Sequence, residues 1–120
     1  MEVIEISQRI TEKIELLETG RKELLKRARR KAEAVADYEK ALATTIIKLR
    51  HDAIPEVFGF PVINLPATLI EKTARGLVYS EKLEMELAES EYKAAIVGMA
   101  AIQAELNGYQ SVNRFLQHEL

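Results

Sequence analysis

The chain has 120 residues and a mass of 13.6 kDa, with 30% charged residues, a formal net charge of −2, a pI near 5.8 and no cysteine. These values exclude a disulfide framework, a thiolate metal site and a thiol nucleophile, and they point to a reducing cytoplasm. They also leave no global attraction for nucleic acid or an anionic membrane, so any such affinity has to be local. One domain of this size buries only a modest core, and oligomerisation is the usual supplement. No basic-then-apolar leader opens the chain and no run of about eighteen apolar residues interrupts it, so no membrane partner is expected.

From Val3 to about Arg50 there is no proline and a single glycine, Gly20. Apolar residues recur at alternating spacings of three and four. With Ile14, Arg21, Ala28, Val35, Leu42 and Leu49 at one heptad position, Ile10, Leu17, Leu24, Lys31, Tyr38 and Thr45 fall at its partner. This is a coiled-coil-like seam, and it predicts a helix over 3–51, roughly 70 Å long at 1.5 Å per residue. Such a rod has to lie along something of similar length.

The next stretch, 52–65, holds Pro55 and Pro61, and Pro66 follows it. The prolines interrupt the helix and Gly59 permits unusual backbone angles, so an apolar bend is expected. Val57, Phe58, Phe60, Val62 and Ile63 are more apolar than chain reversal needs. They either plug the end of a helical bundle or present a docking surface. The words "PATLIEKTAR" then read as a short helix over 66–76 that ends at Gly76 as the residue after its C-cap.

A second long helix is expected over 80–118, with Ser80 as N-cap and Glu81 and Glu84 near the positive end of the dipole. One apolar stripe follows Met85, Ala88, Tyr92, Ala95, Met99, Ile102, Leu106, Tyr109 and Leu116, and another follows Leu83, Leu87, Ala94, Val97, Ala101 and Ala104. A two-helix hairpin offers one burial face, so the second stripe calls for a partner subunit, most simply in a dimeric four-helix bundle. Gly98 and Gly108, with the alanines beside them, form a small-residue strip where another helix can approach closely. The expected fold is all-α: one domain, a long antiparallel hairpin with a short helix at the bend, assembling into a helical bundle.

Chemistry-bearing motifs are sparse. His51 and His118 lack metal-ligand spacing, and no phosphate loop, nucleophile elbow or zinc motif is present. The acidic words "SEKLEMELAESE" read as a solvated face, and the Glu-x-x-His pattern of ferritin-like metal sites is absent. No catalytic residue, metal ligand or cofactor is expected, and the protein is read as no enzyme.

The electrostatic feature is "RKELLKRARRK", Arg21 to Lys31, where Lys22, Lys26, Arg29 and Arg30 share one side of the helix. That spacing suits a phosphate backbone or an acidic partner. The alternative is charge pairing within the hairpin. A second helix running straight from the bend would set Lys26 near Glu91, with the acidic run 81–91 against the basic one. A short helix folded aside would leave the basic run opposite the neutral stretch 100–110 and free for a partner.

The words "KALATTIIKLRHDAI", "LPATLIEKTARGLVYSEKLEMELAESEYK" and "AELNGYQSVNRFL" resemble small helical proteins encoded by phages and prophages of Gram-positive bacteria, in early gene regions near recombination and replication genes. The resemblance covers roughly residues 40–116 and implies a setting, the cytoplasm of a bacterial host, without an active site to carry over. The expected function is that of a non-enzymatic accessory protein that binds a macromolecule, phage or host protein, in phage DNA metabolism or against a host system. The alternatives are a nucleic-acid-binding protein using the 21–31 face and a structural or assembly protein of the virion.

Overall fold

The computed structural model describes residues 2–119. In chain order it comprises α1 (Val3–Arg50), β1 (Glu56–Val57), β2 (Phe60–Pro61), α2 (Ala67–Leu77) and α3 (Tyr79–Glu119). The fold is all-α but for the four residues of the β ribbon.

Helix α1 is unbroken over 48 residues, with Glu5 in its first turn and Lys48 and Arg50 in its last, the charge order that the helix dipole favours. It ends in a Schellman motif. The Ala53 N–H donates to the Lys48 carbonyl (2.9 Å) and the Asp52 N–H to the Leu49 carbonyl (3.3 Å), with Asp52 left-handed at φ 52°.

The bend contains a miniature β-hairpin that the proline pattern did not suggest. Glu56 pairs with Pro61 and Val57 with Phe60, antiparallel, around a two-residue loop of Phe58 (φ 51°) and Gly59 (φ 83°). Positive φ at both loop residues is the type I′ arrangement, whose twist suits the two strands. The Val62 N–H extends the ribbon by donating to the Pro55 carbonyl at 3.0 Å.

Helix α2 starts after Pro66, which needs no N–H there, and runs through Gly76 to Leu77, so Gly76 does not terminate it. The irregularity is one residue later, at Val78 (φ −97°, ψ 30°). Val78 nevertheless donates to the Ala74 carbonyl and accepts from the Lys82 N–H, both at 3.1 Å. Helical bonding therefore passes almost uninterrupted into α3. The expected N-cap role of Ser80 is corrected for the same reason: Ser80 lies inside α3 and its hydroxyl donates to the Glu81 carboxylate at 3.0 Å.

The chain packs as two units, residues 30–89 and the two segments up to Arg29 and from Ser90 onward. In the first, Leu49 of α1, Val57 and Val62 of the bend, and Ile70 and Ala74 of α2 form a buried cluster, flanked by Leu42, Ile46, Ile54, Leu65 and Leu77. Farther along the same unit Ala34, Val78 and Ala88 are buried, Arg30 meets Glu84, and the Lys82 ammonium sits 5.2 Å from the Tyr38 ring centroid.

In the second unit Ile6, Leu17 and Leu106 are buried. Lys13 bridges Glu105 at 2.5 Å, Gly20 lies against Met99, and the Arg27 guanidinium donates to the Glu91 carbonyl at 3.1 Å. Each step of seven along α1 is answered by six to eight residues back along α3, so the two segments run antiparallel in a heptad-like register. Of the expected seam, Leu17 and Leu49 are buried and most other members half-buried, whereas Ile14 and Arg21 are exposed.

Candidate functional site

The bend divides its own apolar residues. Val57 and Val62 are buried in the cluster with Leu49 and Ile70, so these two serve the core. Phe58, Phe60 and Ile63 point outward, 69%, 72% and 62% exposed. The plug and the docking surface weighed for this segment thus use different residues of it. The outward three form a knob on a fixed base, because the Schellman turn, the ribbon and the bond from the Asn64 N–H to Asp52 Oδ1 (3.1 Å) hold the backbone. Phe58 occupies a left-handed conformation that a bulky side chain adopts at a cost of order 1–3 kcal/mol. Its ring reaches Gly76 of α2, yet remains mostly in solvent.

The basic run is divided as well. Arg30 bridges Glu84 at 2.5 Å, and Arg27 holds Glu23 at 3.2 Å together with the Glu91 carbonyl. Charge pairing within the chain is therefore real, with Arg27 rather than Lys26 beside Glu91. The register is that of a helix continuing from the bend, because Val78 interrupts α2 and α3 by a single residue; the alternative opposite 100–110 is overturned. Lys22, Lys26 and Arg29, at i, i+4 and i+7, are exposed, and among the described residues none of the three takes part in an ion pair. Leu25, 72% exposed, stands between them.

Lys13 has a displaced titration. The hydrogen bond with Glu105 raises its pKa above the ordinary 10.5, against the lowering effect of burial. Arg30, Asp37, Ser80, Glu81 and Glu84 line a cleft, in which Arg30 is paired with Glu84 and the Ser80 hydroxyl donates to Glu81. His51 and His118 are both exposed, and among the described residues no group of three or more acidic or imidazole side chains is placed to hold a metal ion. Among the described residues no helix is long and apolar enough to cross a membrane.

Two features of the glycines escaped sequence reasoning. A Cβ on Gly20 would press on the Met99 side chain, so close packing within the chain favours glycine at this position. Gly98 and Gly108, expected at such a contact, would place a Cβ in open space. The second apolar stripe of α3 is likewise exposed: Leu83 and Leu87 in the unit of residues 30–89, and Ala94, Val97, Ala101 and Ala104 in the other. A lone glycine opposite a methionine on the partner helix was the available signal for the first contact.

Comparison with family models, with curated proteins and with solved structures gives no match.

Proposed function

We propose that the protein is a non-enzymatic accessory protein of phage or prophage type that works by binding another macromolecule through the knob of Phe58, Phe60 and Ile63. The observation that carries this reading is the division of labour in the bend. Two valines suffice to close the core, and three larger apolar side chains are held outward on a braced turn. Each contributes on the order of 1.5–3 kcal/mol when a partner buries it, and Phe58 stands at a left-handed turn position that Asn or Gly would fill at less cost. The phage setting, with the bacterial cytoplasm as location, rests on the sequence resemblance alone.

The test is a pull-down from phage-infected cells with the parent chain and with the Phe58→Ser/Phe60→Ser double variant. A specific macromolecule captured by the parent and lost by a variant of unchanged helicity supports the knob. Equal capture by both overturns it.

A second reading draws on Lys22, Lys26 and Arg29, left unpaired while Arg27 and Arg30 engage α3. This strip fits nucleic acid or an acidic protein. Three neutralised phosphates give a slope of log affinity on log salt of about −2.7 for duplex DNA; a salt-independent or undetectable affinity removes this reading.

A further inference from the structure

We infer that the outer face of α3 between Ala94 and Phe115 is the interface of an antiparallel homodimer. The inference is independent of the knob, since every residue it uses lies in the other packing unit.

In that unit α3 has an inner stripe, with Leu106 buried and Met99, Ile102 and Tyr109 half-buried, that already meets the packing needs of the hairpin. The opposite face carries Ala94, Val97, Ala101, Ala104, Val112 and Phe115, all exposed, with Val97 and Phe115 at 69% and 63%. Ala94, Ala101, Gly108 and Phe115 recur every seven residues, the repeat of a helix that packs along another helix. From Ala94 to Val112 the only charged side chain is Glu105, and Lys13 holds it at 2.5 Å. Depletion of charge is the compositional mark of an interface core.

Gly98 and Gly108 supply a separate argument. Glycine disfavours a helix interior, and nothing in the chain approaches either position within 4 Å. Gly20 shows the contrast, because there the chain itself fills the space with Met99. At Gly98 and Gly108 the space for a closely packed helix is open to a partner.

Surface area says how much is left to cover. Val97, Val112 and Phe115 are 69%, 45% and 63% exposed and the alanines and glycines beside them are exposed too, so covering the whole 94–115 face would remove on the order of 600 Å² per copy, a total for two copies that reaches the roughly 1,000 Å² a specific interface has to clear.

A second copy is the occupant that the pattern of bulk and void selects. With two α3 faces antiparallel about a two-fold axis between residues 106 and 107, Phe115 of either copy falls across from Gly98 of the other. The same register sets Val112 against Ala101 and Glu105 against Gly108. One operation therefore sets Phe115, Val112 and Glu105 against Gly98, Ala101 and Gly108, and does so twice, as an isologous interface requires, while Val97 meets Leu116 as an apolar pair.

Sedimentation equilibrium of the full chain tests this. The parent should behave as a dimer at about 10 μM, and Ala101→Glu should weaken dimerisation at least a hundredfold while leaving helical circular dichroism unchanged. Since the chain has no cysteine, a mixture of Gly98→Cys and Phe115→Cys proteins gives a second readout that does not depend on the glutamate variant folding. Oxidation should join the two different chains in preference to like chains. A parent that stays monomeric at millimolar concentration, an Ala101→Glu protein as dimeric as the parent, or crosslinks confined to like chains would overturn the assignment, the first leaving the face to an unlike partner.

Discussion

Asp52 Oδ1 accepts a 3.1 Å hydrogen bond from the backbone N–H of Asn64, joining the two ends of the bend across twelve positions. Both residues are left-handed, at φ 52° and 59°. Asp and Asn are the non-glycine types that tolerate this conformation, through local hydrogen bonding by a short polar side chain. The third left-handed non-glycine residue, Phe58, has no such compensation.

That difference fixes the sign of a substitution. Phe58→Asn converts the loop to Asn-Gly, the preferred type I′ pair, and should stabilise the fold by about 0.5–1 kcal/mol in urea titrations while removing one third of the knob. A stabilised variant that no longer captures the macromolecule bound by the parent would separate folding from function at a single residue.

Asp52 should behave in the opposite sense. Asp52→Gly keeps the left-handed C′ position and loses only the bond to Asn64, a change of about 1 kcal/mol. Asp52→Ala loses the bond and adds conformational strain, so it should destabilise by about 2 kcal/mol. Equal effects of the two changes would show that the helix end tolerates alanine and that the bond alone matters.

Much of this architecture is legible in the sequence, and the failures have physical causes. Spacings of three and four over residues 3–50, uninterrupted by proline, leave no alternative to α1, and the three prolines mark the bend. The ribbon escaped because "VFGF" places phenylalanine where a hairpin turn normally announces itself with Asn or Gly. Gly76 and Ser80 look like a stop and a start, yet helical bonding through Val78 makes neither necessary. Composition also does not tell which apolar residues of a bend face inward. Val57 and Val62 were therefore inseparable from Phe58, Phe60 and Ile63 until Leu49 and Ile70 defined an interior.

Gly20 and Met99 form a pair suited to a double-mutant cycle. A methyl group at Gly20 would press on Met99 Sδ, and displacing that side chain in a packed seam should cost about 1–2 kcal/mol net. In a Met99→Ala background the obstacle is gone, and Gly20→Ala should instead gain about 1 kcal/mol from helix propensity. Thermal or urea unfolding of the four proteins checks the change of sign; additive effects would show that the sulfur moves aside freely.

Lys13 and Glu105 give a pH prediction. Because the folded-state pKa of Lys13 is raised above 10.5, the stability that the pair contributes is fully present below the ordinary lysine value and is lost as pH rises through the raised one. The stability difference between the parent and Glu105→Gln should be flat from about pH 6 to 9 and shrink only above about pH 10.5. A difference that changes near neutrality would assign the effect to another group.

The buried cluster at the bend also sets an order of events in folding. Leu49, Val57, Val62, Ile70 and Ala74 lie close together in sequence, whereas the rungs Arg30–Glu84 and Arg27–Glu91 join residues 54 and 64 positions apart. Closing a chain grows harder with the length enclosed, so the hairpin should nucleate at its bend and zip toward the termini. During synthesis on the ribosome, the cluster can close as soon as α2 has emerged. The Phe58–Phe60 knob would then be in place before α3 has emerged to close the rungs along α1.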